Sequence, residues 1–117
     1  MDAELRTTVC RLVAGLVVSD DDFSPEEEAF IERMLARFEI ADRALIFPIV
    51  DRSEAAESVR ALPPAVQHDA FVALVEAAVA DGKVVDEERG YLLVVGEAMG
   101  LHPKAVDERI SQALRKG

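Results

Sequence analysis

Apolar residues recur at helical spacing along nearly the whole chain. From Leu5 they fall at Val9, Leu12, Val13, Leu16 and Val17, one stripe of a 3.6-residue period. This predicts a first helix over about 2–19. The acidic run Asp20-Asp21-Asp22 interrupts it, and Ser24-Pro25-Glu26-Glu27 follows. Ser is a good N-cap acceptor, Pro suits the first helical position, and Glu three residues after the cap can reach back to the cap N–H. A second helix therefore opens at Pro25 and buries Phe30, Ile31, Met34, Leu35 and Phe38. Asp42 then caps a short helix through Leu45 and Ile46 that stops near Pro48. Ser53, Ala55, Ala56, Val59 and Leu62 suggest another, broken by Pro63-Pro64. The run Ala70–Val75 is apolar nearly all round, so the helix over about 64–80 is expected at the centre. Asp81-Gly82 ends it, with Gly free to turn left-handed. Asp86-Glu87-Glu88 opens a helix carrying Tyr91, Leu92, Val95 and Met99 and ending at Gly100. Pro103 opens the last, with Val106, Ile110 and Leu114 inward. No segment alternates as a strand does, so the expected fold is all-α, a bundle of about seven helices.

The pattern also repeats. Displaced by 61 positions without a gap, Ser19-Asp20 falls on Ala80-Asp81 and Glu26-Glu27 on Glu87-Glu88. Phe30 falls on Tyr91, Met34 on Val95, Phe38 on Met99, and Leu12, Val13 and Leu16 on Ala73, Leu74 and Ala77. Any two helical hairpins share a period, but they need not share an Asp followed seven residues later by a Glu. The expectation is one domain over 1–117: a hairpin over about 9–40, a connector over 41–69, a second hairpin over about 70–101, and a closing helix over 103–115. Two such units pack with pseudo-two-fold symmetry, each covering the other's apolar face.

Composition narrows the partners. Half of the 117 residues are hydrophobic and only 5% aromatic, which suits close packing of small aliphatic helices. The net charge of −10 repels phosphates and anionic lipid headgroups, so nucleic acid and membrane insertion are not expected. It favours cations, or a protein partner with a basic or mixed surface; a homodimer is compatible with it. A single cysteine, Cys10, makes no internal disulfide, and the acidic start lacks the order of a signal peptide. Both lead to the expectation of a cytoplasmic protein.

The stretch Ala80-Asp81-Gly82-Lys83-Val84-Val85-Asp86-Glu87-Glu88, closed by Ala98-Met99-Gly100-Leu101, resembles the signature of TerB-like domains. These are found in the bacterial tellurite-resistance protein TerB and, in a related form, at the N-terminus of the DjlA co-chaperone. The first copy, Ser19 to Glu27, departs from it, with Asp21 where Gly is expected and Phe38-Glu39-Ile40 in place of the closing Gly. The resemblance implies a compact helical bundle and a role in bacterial stress responses, through partner proteins or metal ions rather than catalysis. The matched acids are Asp20, Glu27, Asp81 and Glu88. His102-Pro103-Lys104 lacks the Asp of a J-domain motif, so a co-chaperone activity is not implied.

The loop acids admit two readings. Asp20, Asp22 and Glu27, with Asp81 and Glu88 as a second locus, concentrate hard oxygen ligands of the kind calcium or manganese takes. They equally serve as helix caps, each worth roughly 0.3–1 kcal/mol at a helix N-terminus. The spacing is not that of an EF-hand, which needs Gly at its sixth and Glu at its twelfth position. No Cys–His or Ser–His spacing supports nucleophilic catalysis, zinc would have one Cys and two distant His, and no Gly-rich phosphate loop is present. A carboxylate-dependent hydrolase would need a cleft and a raised carboxyl pKa. Arg33 and Arg37, one turn apart, are expected to pair with neighbouring acids. The expectation is a non-enzymatic interaction module using its acidic loop face, with a cation-binding domain as the alternative.

Overall fold

The computed structural model describes residues 2–19, 24–80 and 82–116. It contains α1 (Ala3–Val17), α2 (Pro25–Arg37), a 3-10 turn (Arg43–Ile46), α3 (Arg52–Arg60), α4 (Pro64–Ala78), α5 (Asp86–Ala98) and α6 (Pro103–Lys116). The described residues are helical without strands, as the periodicity predicts. The segment capped by Asp42 closes as a 3-10 turn rather than an α-helix. α3 is capped by Asp51, its carboxylate accepting from the Glu54 N–H at 3.2 Å and the Ser53 hydroxyl at 2.6 Å.

α1 and α4 end about two residues before the sequence expectation. In both, the chain tightens into a 3-10 bond at its exit: Ser19 N–H donates to Leu16 O at 3.2 Å and Ala80 N–H to Ala77 O at 3.3 Å. α1 and α4 are each 15 residues long, and α2 and α5 each 13. Their starts are displaced by the same 61 positions, from 3 to 64 and from 25 to 86. The exits of α2 and α5 also match. Ile40 N–H donates to Leu35 O and Leu101 N–H to Gly96 O, both at 2.8 Å, the long bond of a Schellman turn. That turn needs a left-handed residue, supplied by Gly100 at φ 85° in one case and by Glu39 at φ 58° in the other. Glu39 thus occupies a backbone region that disfavours a Cβ.

α1, α4 and α5 form the inner layer. α1 packs on α4 and α5, α3 lies on α5 and α1, α6 crosses α5 and α4, and α2 rests on α1 and α4. α4 is central as its all-round apolar run predicts: Leu74 is fully buried and Phe71 1% exposed. The radius of gyration, 12.9 Å, is near the roughly 13 Å expected of a compact domain of this size.

One crossing joins the layers. The connector runs over α1 at Gly15, where a Cβ would lie 1.8 Å from the Val50 carbonyl oxygen. The Val50 N–H donates to Arg11 O at 3.1 Å, and the Tyr91 hydroxyl on α5 donates to Val50 O. A helix-interior Gly otherwise weakens a helix, so here close approach of backbone explains it.

Two outcomes test this packing. Leu74→Ala removes a fully buried side chain and is expected to cost about 2–5 kcal/mol in urea denaturation, a loss under about 0.5 kcal/mol contradicting a central α4. Glu39→Gly relieves a left-handed residue and is expected to raise stability by up to about 1 kcal/mol, read as a higher denaturation midpoint.

Candidate functional site

The two loop glutamates face inward. Glu27 and Glu88 are each 2% exposed, the two buried charged residues among those described. Glu27 completes a full capping box: Ser24 N–H donates to Glu27 Oε1 at 3.0 Å, and Glu27 N–H to the Ser24 hydroxyl at 3.1 Å. Glu88 makes the corresponding half, accepting from Val85 N–H at 3.2 Å. Val85 has no side-chain oxygen to return the bond. Both carboxylates therefore tie the end of a loop to the first turn of a helix, where the helix dipole favours negative charge.

Of the candidate cation ligands, Asp20, Asp22 and Asp81 lie outside the described residues. Glu27 and Glu88 sit at the start of different helices. Among the described residues no group of three or more His, Cys, Asp or Glu side chains is placed to hold a metal ion.

The structure adds residues that the sequence did not single out. A cleft of about 300 Å³ opens where the loops begin and end, with Ser19 from the exit of α1, Glu87 from the start of α5, and Asp51 and Arg52 from the connector. Gly15 also lines it. The Asp51 carboxyl is held below its ordinary range chiefly by the Ser53 hydroxyl, with backbone N–H groups of Glu54 and Ser53 adding to the effect. It is ionised at neutral pH. Beneath it, burial first, and then the charges of Asp51 and Glu54, pushes the Tyr91 hydroxyl far above its usual range, so it stays a hydrogen-bond donor.

Val18 and Ile49 also line a second, mostly apolar cleft, of about 180 Å³, with Ala14, Ile31, Ile46, Phe47 and Arg43, whose charge is met by Glu32 at 2.7 Å. Two of its lining side chains are exposed and apolar: Phe47 is 57% exposed and Val18 39%. Phe47 precedes Pro48 through a cis peptide bond. An acidic cleft and an apolar one thus share a wall. Gly15 inside a helical pattern was the one signal of this place in the sequence. Nothing in periodicity marks Phe47 as exposed or Asp51 as a cap facing Glu87.

The remaining candidates are structural. Cys10 is fully buried, and burial pushes its thiol up to about 11. It is therefore protonated, and not a thiolate nucleophile, at neutral pH. His68 and His102 are exposed, and His102 Nδ1 accepts from Lys104 N–H at 3.1 Å at the start of α6. Arg37 pairs with Glu76 at 3.5 Å as expected, whereas Arg33 lies over the Phe30 ring at 6.0 Å. Arg89 grips Asp107 with two bonds of 2.8 and 2.9 Å, tying α5 to α6.

If Glu27 is a cap first, Glu27→Ala leaves a loop N–H without its acceptor and is expected to cost about 1–3 kcal/mol. The loss is read by urea denaturation in EDTA. A loss that appears only when calcium is present would assign Glu27 to coordination instead.

Comparison of the chain with protein-family models, with curated proteins and with solved structures gave no match.

Proposed function

We propose that the chain is a non-catalytic, TerB-like interaction module, a duplicated helix–acidic loop–helix unit that docks a protein partner with a basic or mixed surface. The observation that carries this reading is the acidic cleft of Asp51 and Glu87 lying against an apolar cleft flanked by exposed Phe47. Single exposed apolar residues are ordinary on a surface. Two lining one cleft, Phe47 and Val18, beside the carboxylates of Asp51 and Glu87, fit a partner that offers an apolar anchor next to Lys or Arg. The inward glutamates support the same reading, because they fix the loop ends and spare a partner part of the cost of ordering them. The common displacement of helix bounds and of both Schellman turns supports the duplication. The bacterial stress-response setting, including tellurite resistance, is what the signature around Asp81 and Glu88 suggests for the partner's pathway.

A basic amphipathic peptide of Leu and Lys is a direct probe. Its binding, followed by fluorescence anisotropy, should weaken at least tenfold in the Phe47→Ser, Glu87→Lys double variant, and an unchanged affinity would reject the loop face. Calcium and manganese titration provides the rival arm. Heat that persists in 1 M KCl, where the Debye length is about 3 Å, and that is lost on replacing Asp20 and Glu27 together would favour the cation-binding reading.

A further inference from the structure

We propose that the crevice between α2 and α4, continued by the groove between α4 and α6, is a separate docking site, and that its occupant is a short acidic amphipathic helix of a partner protein. The first cleft, about 220 Å³, has Phe30, Met34, Phe38 and Ala73 as its apolar lining and Arg33 and Arg37 at its side. The second, about 270 Å³, is floored by Phe71, Val75 and Ala113, with Arg109 and Lys116 from α6. Both are bounded by Glu76, which Arg37 already neutralises at 3.5 Å. Among the described residues Arg33, Arg109 and Lys116 have no ion-pair partner. A chain of net charge −10 therefore gathers four cations around one apolar surface with a single acid among them. With Arg37 paired to Glu76, three cations stay uncompensated, and at physiological salt, where the Debye length is about 8 Å, a docked ligand experiences these three more than the distant acids.

What covers such a crevice is shown elsewhere in the same molecule. Displaced by 61 positions, Phe30 and Glu76 of the α2–α4 crevice correspond to Tyr91 and Gly15 of the α1–α5 crevice. There the connector lies across the gap, with Val50 O received by Tyr91 and seated against Gly15, and α3 follows on the surface of α5. α3 is a nine-residue amphipathic helix that buries Ala55 and Val59, one turn apart, and carries Asp51 and Glu54 at its start. The α2–α4 crevice is open, and its rim is basic where α3's own first turn is acidic. A segment of the connector–α3 type, with an acidic amphipathic helix, matches it by charge, in the helix-in-groove mode. Two side-chain-sized clefts separated by the Arg37–Glu76 pair also suit a helix better than an acyl chain, which would have to cross that charged pair.

The site differs from the loop face and is tested by different residues. The probe is a fluorescein-labelled synthetic peptide of residues 49–62 carrying Arg52→Glu and Arg60→Glu, titrated with the full chain in 0.15 M salt. Saturable binding is expected, at least tenfold weaker for R33E/R109E and unchanged for Lys104→Glu, an exposed residue outside both clefts. Should R33E/R109E fail to fold by circular dichroism, Arg109→Gln with Lys116→Glu makes the same measurement. A matched peptide with Glu54→Lys and Glu57→Lys should also bind at least tenfold more weakly. Absence of binding, equal binding of both peptides, or full affinity in the charge-reversed chain overturns the proposal. So does preferential binding of dodecanoate, which would make the occupant a small amphiphile, or self-association that R33E/R109E abolishes, which would make it a second copy.

Discussion

The backbone of the connector occupies the space that a side chain at position 15 would need. With a Cβ only 1.8 Å from Val50 O, any residue but Gly at position 15 would push the connector off α1. That contact sets the height at which residues 49–52 cross, and so the reach of the Tyr91 hydroxyl to Val50 O and the placement of Arg52 against Gly90. It also fixes where α3 begins, and hence where Asp51 faces Glu87. Tyr91 is fully buried, so its hydroxyl needs that carbonyl, and the carbonyl needs a donor. Three elements distant in sequence are thereby held by one glycine and one shared polar atom.

Burying Glu27 and Glu88 is costly unless their oxygens are used. Each accepts a backbone N–H at the mouth of a helix, where unpaired donors and the dipole both favour a carboxylate. The acids that define the loop pattern in the sequence thus divide. Glu27 and Glu88 are consumed in holding the loop ends, while Glu87 stays exposed and lines the acidic cleft together with Asp51 from the connector.

The same architecture leaves two unlike surfaces. Where the connector fills the crevice between α1 and α5, the outcome is a closed core edged by an acidic and an apolar cleft. Between α2 and α4, at Phe30 and Glu76, no element among the described residues lies across in that way, and arginines edge the gap. A strongly acidic chain can hold a local basic surface because screening confines each charge to its neighbourhood.

Helix positions, the central place of α4, the capping role of Glu27 and Glu88, and the breaks at Pro63 and Gly100 were legible in the sequence. These depend on local chemistry: period, caps, and residues that tolerate or forbid a backbone conformation. The left-handed Glu39 was not foreseen, since only the turn that α2 must make imposes it. Nor were the clefts, because Asp51, Glu87, Val18 and Phe47 are far apart along the chain and carry no shared pattern. Which crevice is filled was decided by how the connector crosses α1. That crossing is a long-range packing choice, made by steric room at Gly15 and a hydrogen bond from Tyr91, and no periodicity along the chain encodes it.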